Sequence, residues 1–155
     1  MAAFDTSKKT FRHEMYPEYK ATREKMPEEM REQLPYLWKL LKAMKIPTLE
    51  QPGFEADDII GTLAVRAKES NLDTYIVSGD KDFMQLVNDH IFLYSPSGRQ
   101  SDIKIYDKDA VKDKWGVPPE KIIDLLGLMG DSSDNVPGVM GVGEKTAVKL
   151  LNEYG

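Results

Sequence analysis

Between Glu55 and Asp82 the chain passes from a helical period to a strand period, and acids mark the end of each. From Glu55 to about Ser70, Ile59, Ile60, Leu63 and Val65 or Ala67 recur at helical steps and predict one inward face. Past Asn71, the β-branched and aromatic run Thr74-Tyr75-Ile76-Val77 predicts a strand that ends in Ser78-Gly79-Asp80-Lys81-Asp82. Met1-Ala2-Ala3-Phe4 reads as the tail of another buried strand, with Asp5 just past it, and Ile46-Pro47-Thr48-Leu49 as a short edge strand. Strand, helix, strand in this order implies a mostly parallel α/β sheet flanked by helices, in which ligands gather at the carboxyl ends of strands. Asp5 and Asp80 stand at such ends.

The helix opens on Glu55-Ala56-Asp57-Asp58, three carboxylates with no cation beside them in sequence. Acids favour a helix N-terminus, where they meet unpaired N–H groups and the positive end of the macrodipole. Three so close repel one another, so at least one is expected to stay protonated at neutral pH unless a cation enters. Asp80 suits the N-cap of a short helix over Phe83 to Val87, a role that leaves Asp82 unexplained. Asp131 and Asp134 lie three apart on a turn in Gly130-Asp131-Ser132-Ser133-Asp134-Asn135. Asp5, Glu55, Asp57, Asp58, Asp80, Asp82, Asp131 and Asp134 are therefore the candidate metal ligands.

The net charge of −5 argues against a nucleic-acid partner. Setting those eight acids aside leaves the remainder net positive, so the acidity reflects one kind of site. The cations gather early: Lys8-Lys9-Thr10-Phe11-Arg12-His13-Glu14 and Tyr16-Pro17-Glu18-Tyr19-Lys20-Ala21-Thr22-Arg23-Glu24-Lys25 have little apolar periodicity, with Phe11, Tyr16 and Tyr19 interleaved. About residues 6–26, such a stretch suits either a mobile, phosphate-facing arch whose aromatics stack on bases or an ordinary solvated surface.

From Pro27 to Met44 a helix is predicted, kinked at Pro35, with Leu34, Leu37, Trp38, Leu41 and Met44 as core. Ile91-Phe92-Leu93-Tyr94 and Ile103-Lys104-Ile105-Tyr106 predict a peripheral hairpin across Pro96-Ser97-Gly98, followed by helices over Asp107 to Trp115 and Pro118 to Met129. His13 and His90 read as surface or packing residues. Near the C-terminus, Gly138, Gly141 and Gly143 precede a helix beginning Glu144-Lys145-Thr146, which lets backbone N–H groups point outward at a helix N-terminus and bind phosphate. A plain connector between helices would read the same way.

The 155 residues suffice for a single core. Absence of Cys excludes disulfides, thiolate metal sites and cysteine nucleophiles. No apolar run approaches the roughly 18 residues of a membrane span, and no signal-peptide pattern leads the chain, so a soluble cytoplasmic protein without a membrane partner is expected.

Phe11-Arg12-His13-Glu14, Tyr19-Lys20-Ala21-Thr22-Arg23, Glu55-Ala56-Asp57-Asp58, Ser78-Gly79-Asp80-Lys81-Asp82, Gly130 to Asn135 and Gly138-Val139-Met140-Gly141-Val142-Gly143-Glu144-Lys145-Thr146-Ala147 occur in one order. Together they closely resemble the 5′ nuclease (5′-3′ exonuclease) domain of bacterial DNA polymerase I, in the flap endonuclease family. The resemblance implies a PIN-like core over 1–126, with the arch at about 6–26, and a helix-hairpin-helix element over 127–155. It implies a 5′-3′ exonuclease and flap endonuclease acting on DNA with a 5′ flap or a duplex/single-strand junction, as part of a larger polymerase chain in replication and repair. By the same resemblance, the first acidic set with Asp80 and Asp82 holds metal, Asp131 and Asp134 complete a second site, and Arg12, Lys20 and Arg23 face the scissile region. Gly138, Gly141, Gly143, Lys145 and Thr146 would grip duplex backbone, with K⁺ at the hairpin.

Members of that family begin with a strand carrying another metal-binding Asp and continue past the second hairpin helix. Against that pattern the chain is expected to be a fragment whose first metal site is short of a ligand, which makes a branched-DNA-binding module without cleavage the alternative. Hard oxygen donors favour Mg²⁺ or Mn²⁺, two of which would serve an in-line hydrolysis. Lys20 and Arg23 would add electrostatic stabilisation at the phosphate. An Mg²⁺-dependent phosphatase on a similar sheet is a third reading, which the arch and the glycine turn oppose.

Overall fold

The N-terminal strand is two residues long, Ala2–Ala3 (β1), and pairs in parallel with Thr48–Leu49 (β2). It belongs to a computed structural model that describes residues 1–6, 9–97 and 102–155. Lys8 of the basic stretch and Gly98 of the hairpin turn lie outside the described residues. The described chain divides into two compact units, residues 1–59 with 133–135, and residues 60–132 with 136–155.

In the first unit the described part of the basic stretch carries local structure. Phe11–Met15 forms a short helix (α1), followed by turns in which Tyr19 N–H donates to Tyr16 O at 3.0 Å and Arg23 N–H to Lys20 O at 3.0 Å. The expected kinked helix is two helices, Glu28–Arg31 (α2) and Leu34–Ala43 (α3). Pro27 caps the first, and Pro35 sits in the first turn of the second, where its missing N–H costs nothing. The apolar face of α3 is only half-covered: none of its residues is buried, Trp38 stacks on Phe4 with centroids 4.2 Å apart, and Leu37 and Met44 are exposed. Helix Ala56–Glu69 (α4) begins in this unit.

The second unit holds the packed core. Strand Thr74–Val77 (β3) runs parallel to Ile91–Ser97 (β4), which pairs antiparallel with Asp102–Tyr106 (β5). Of the hairpin expected at the periphery, β4 is the central strand, with Ile91 and Leu93 each 1% exposed, while β5 is an edge strand that buries Tyr106 and leaves Ile103 and Ile105 exposed. Lys108–Trp115 (α5) is capped by the Asp107 carboxylate, which accepts from Ala110 N–H at 2.8 Å. After the 3-10 turn Pro119–Lys121 come Ile122–Met129 (α6) and Glu144–Tyr154 (α7). Val111, Val117, Ile122, Leu125 and Ala147 close the core over the sheet. At about 2 kcal/mol for each fully buried Leu or Ile, this cluster supplies most of the unit's hydrophobic stabilisation. On α4 the buried residue is Ala64, and of the alternatives Val65 or Ala67 the half-buried one is Ala67, Val65 being 42% exposed.

Candidate metal and nucleic-acid site

In the first unit, acids from two places, the start of α4 and the turn at Asp134, are gripped by cations of the basic stretch, and a third, Asp5, is held by backbone. Asp5, just past β1, is exposed, and its Oδ1 accepts from Ala56 N–H at 2.7 Å, so it caps α4 from a distance of 51 residues in sequence. The Asp58 carboxylate turns back along α4 to accept from Glu55 N–H at 2.9 Å. Arg12 then holds it with two bonds, Nη1 to Oδ2 and Nη2 to Oδ1, both 2.8 Å. Asp57, beside it, is exposed in the same first turn.

Glu55 is 8% exposed, and its two oxygens each lie 3.0 Å from Lys20 Nζ, with Arg12 Nη1 at 3.6 Å. The Tyr19 hydroxyl bridges this carboxylate to Asp134, 2.9 Å from Glu55 Oε2 and 3.0 Å from Asp134 Oδ2. Arg23 Nη2 meets the other oxygen, Asp134 Oδ1, at 2.9 Å. Lys20 adopts φ +56°, and its backbone N–H donates to Asp134 O at 3.0 Å. A left-handed lysine costs on the order of 1 kcal/mol or more, and tertiary bonds of this kind are what hold one in place.

The expectation that no cation stands beside these acids does not hold, since Arg12 and Lys20 reach them from far along the chain. The hydrogen bonds from Arg12 hold the Asp58 carboxyl below the ordinary Asp range despite its burial, and the same pair raises the Arg12 guanidinium. Burial, then the bonds to Glu55 and Asp134, push the Tyr19 hydroxyl well above a free phenol and keep it a donor. Tyr19 is therefore no stacking platform for bases: it is 7% exposed. Phe11 likewise packs on Phe54 at 5.8 Å and lies under the Arg12 guanidinium at 4.6 Å.

The second unit carries the other acids. Asp80 caps the 3-10 helix Lys81–Leu86 by accepting from Asp82 N–H at 2.9 Å, and half-buried Asp82 sits in its first turn. Lys81 Nζ pairs with Asp131 Oδ2 at 2.9 Å. Burial alone would lower the Lys81 ammonium, but the bond to Asp131 and the charges of Asp131, Asp82 and Asp80 together outweigh it, and the net shift is upward. Asp131 and Val136 exchange backbone bonds of 2.9 and 2.8 Å, closing the turn that carries Asp134. Among the described residues, no three Asp, Glu or His side chains gather in a shape ready to hold an ion. Oxygens of Glu55, Asp58, Asp134 and Asp131 are turned instead onto the chain's own cations.

The glycine turn divides its labour. A Cβ on Gly138 would lie 2.4 Å from Gly130 N, and one on Gly130, at φ +79°, 2.5 Å from Gly138 N, so these two backbones touch and neither position has room for a side chain, although Gly138 itself stays exposed. Gly141, at φ +80°, has open space around it, and Gly143 is the N-cap of α7. Lys145 and Thr146 are exposed in the first turn of α7. Sequence reasoning missed three contributors: Tyr19, whose only signal was its place beside Lys20; Lys81, lying between two acids; and Gly130, at the helix-ending position where glycine is favoured.

Parallel strands with acids just past their ends, and a helix-turn-helix with close glycine contact, define an α/β fold of the PIN-like nuclease class. Residues 1–116 match the family described as 5'-3' exonuclease, N-terminal resolvase-like domain, and residues 117–155 match 5'-3' exonuclease, C-terminal SAM fold. The chain belongs to the 5'-3' exonuclease family. It is 50% identical over 155 residues to DNA polymerase I of Bacillus caldotenax, covering 100% of this chain and 18% of that protein. Bacteriophage T5 flap endonuclease, solved as a pseudo-enzyme-product complex with DNA and metal ions, superposes with a TM-score of 0.80 at 27% identity, over 99% of this chain and 59% of that one. A second structure, of T5 5'-exonuclease with divalent zinc bound, gives 0.79 at 27% identity over the same shares.

Proposed function

We propose that this chain hydrolyses phosphodiester bonds of DNA near a 5′ flap or a duplex/single-strand junction, as a 5′-3′ exonuclease and flap endonuclease. One observation carries the reading: Arg12, Lys20 and Arg23, suited to a phosphate, lie 2.8, 3.0 and 2.9 Å from Asp58, Glu55 and Asp134, suited to a metal. Hard anionic oxygens and phosphate-seeking cations at one place are the two halves of metal-assisted phosphoryl chemistry.

The donor chemistry fits a divalent cation. Every candidate ligand is a carboxylate and the chain has no Cys, which favours Mg²⁺ or Mn²⁺ over Zn²⁺. We assign Asp5, Glu55, Asp57, Asp58, Asp80, Asp82, Asp131 and Asp134 as the donors available to two such ions. When bound, the ions supply activation of water and neutralisation of developing charge. Lys20 and Arg23 stabilise charge on the phosphate oxygens, Arg12 orients the strand, and Tyr19 keeps the carboxylates of Glu55 and Asp134 at one spacing. Residues 6–26 serve as the arch of a core over 1–126, and 127–155 as the duplex-gripping element. There, Gly141 and Gly143 expose N–H groups, Lys145 and Thr146 contact phosphate, and Gly138 fixes the turn against Gly130. K⁺ at the turn rests on the family resemblance, whereas a place within a larger DNA polymerase I chain is supported by the 50% identity to 18% of the length of the Bacillus caldotenax polymerase.

Incubation with a labelled 5′ flap, a plain duplex and a small phosphomonoester, each with and without Mn²⁺, tests the reading. Mn²⁺-dependent cut products from the flap are expected. Flap binding without products would make the chain a DNA-binding module, and phosphomonoester hydrolysis alone would make it a phosphatase.

A further inference from the structure

We propose that Arg12, Lys20 and Arg23 form a latch that a divalent cation displaces: without the ion they neutralise Asp58, Glu55 and Asp134, and ion loading releases them toward DNA phosphate. This rests on the reading of those carboxylates as ion ligands.

Charge and geometry carry the argument. The three carboxylates are matched by three cations, one principal partner each, at 2.8 to 3.0 Å. An incoming ion needs the oxygens these cations occupy, and its two positive charges repel them at the same distances where the carboxylates attracted them. A phosphate has the complementary need, since it requires the cations and is repelled by bare acids. Ion and phosphate are therefore competitors of one internal pairing rather than of each other, and each assists the other. By linkage, the factor by which the ion loosens the latch is the factor by which opening the latch strengthens the ion.

The bonds are graded. Arg23 has half its side chain in solvent and a single carboxylate partner, so it leaves first; Lys20, 16% exposed, is the most enclosed. Tyr19 is the pivot. Its hydroxyl is neutral and is not repelled by an ion, so it keeps Glu55 and Asp134 together while the cations on either side depart. The left-handed turn at Lys20, tied by its N–H to Asp134 O, is a strained backbone that the ion pairs help to hold, so release of the side chains loosens the segment around it.

Calorimetric titration of Mn²⁺ into the full chain without DNA, compared with Arg23→Gln and Lys20→Met, tests this, alongside trypsin digestion of the unaltered chain. The latch requires that both variants bind Mn²⁺ at least about fivefold more tightly. It also requires that saturating Mn²⁺ speed cleavage after Lys20 and Arg23 relative to cleavage after Lys42 and Lys45. Arg23 is exposed enough that its variant keeps the fold, and the digestion needs no variant at all. Equal or weaker Mn²⁺ binding by Arg23→Gln, or a digestion pattern indifferent to Mn²⁺, overturns the latch while leaving the ion site standing. No Mn²⁺ binding by any form overturns the ion reading itself, and the latch with it.

Discussion

Arg12 and Asp58, 46 residues apart, meet through two parallel bonds of 2.8 Å each, the fork-to-fork geometry that makes an arginine and a carboxylate more than a point-charge pair. The pair ties the basic stretch to the first turn of α4.

Arg12→Ala, measured in EDTA, should destabilise the chain by about 1–2 kcal/mol, because Asp58 loses its partner while still partly buried, discounted for the third of Arg12 that solvent screens. Arg12→Lys should recover less than half, since an ammonium cannot bind both oxygens in the same plane. The pH profile adds a check. The folded Asp58 carboxyl is held low, so its contribution is present above the unfolded value of about 3.9 and is lost as pH falls through the folded value. In the Arg12→Ala chain, acid unfolding should set in at higher pH.

Tyr19→Phe keeps the buried ring and removes only the hydroxyl that joins Glu55 to Asp134. A loss of about 1–2 kcal/mol is expected, with both carboxylates left short of a donor. Mn²⁺ should restore more stability to this variant than to the unaltered chain, because the two acids then repel until an ion enters. Equal gains in both melting curves would refute the bridging role.

Divalent ions should raise the melting temperature. An ion that binds only the folded chain adds roughly 2.7 kcal/mol at a hundredfold excess over its Kd. A melting curve unmoved across millimolar Mn²⁺ would remove the metal assignment for all eight acids.

The two DNA-facing elements should separate by mutation. Lys145→Ala should weaken binding to every duplex alike and reduce the salt slope by about 1, because a phosphate contact carries no base information. Arg23→Ala should lower cleavage more than binding. A change in sequence preference from Lys145→Ala would contradict the turn's assignment.

Two alanine substitutions test the glycine turn, and a third, within α6, is their control. Gly138→Ala would drive a methyl to 2.4 Å from backbone and should cost about 1–3 kcal/mol or more. Gly141→Ala has room but a left-handed φ, for about 1–2 kcal/mol. Gly127→Ala, in α6 with nothing within 4 Å, should stabilise by up to about 1 kcal/mol.

What the amino-acid order determined by itself is whatever depends on near neighbours. Thr74–Val77 is a strand as its β-branched run requires, α4 begins after Glu55 as its acids and apolar spacing require, and Asp80 caps the helix that follows. Each is decided within a few residues, by side-chain crowding or by one local hydrogen bond. Only the tertiary structure decided that Arg12 neutralises Asp58, that Tyr19 is buried between two acids rather than offered to bases, and that β4 lies in the core. The half-covered face of α3 belongs with these. A periodic pattern shows that a face is apolar but not what covers it, and an acid shows a charge but not its partner. Those answers depend on residues tens of positions away, brought within 3 Å only when the chain has folded.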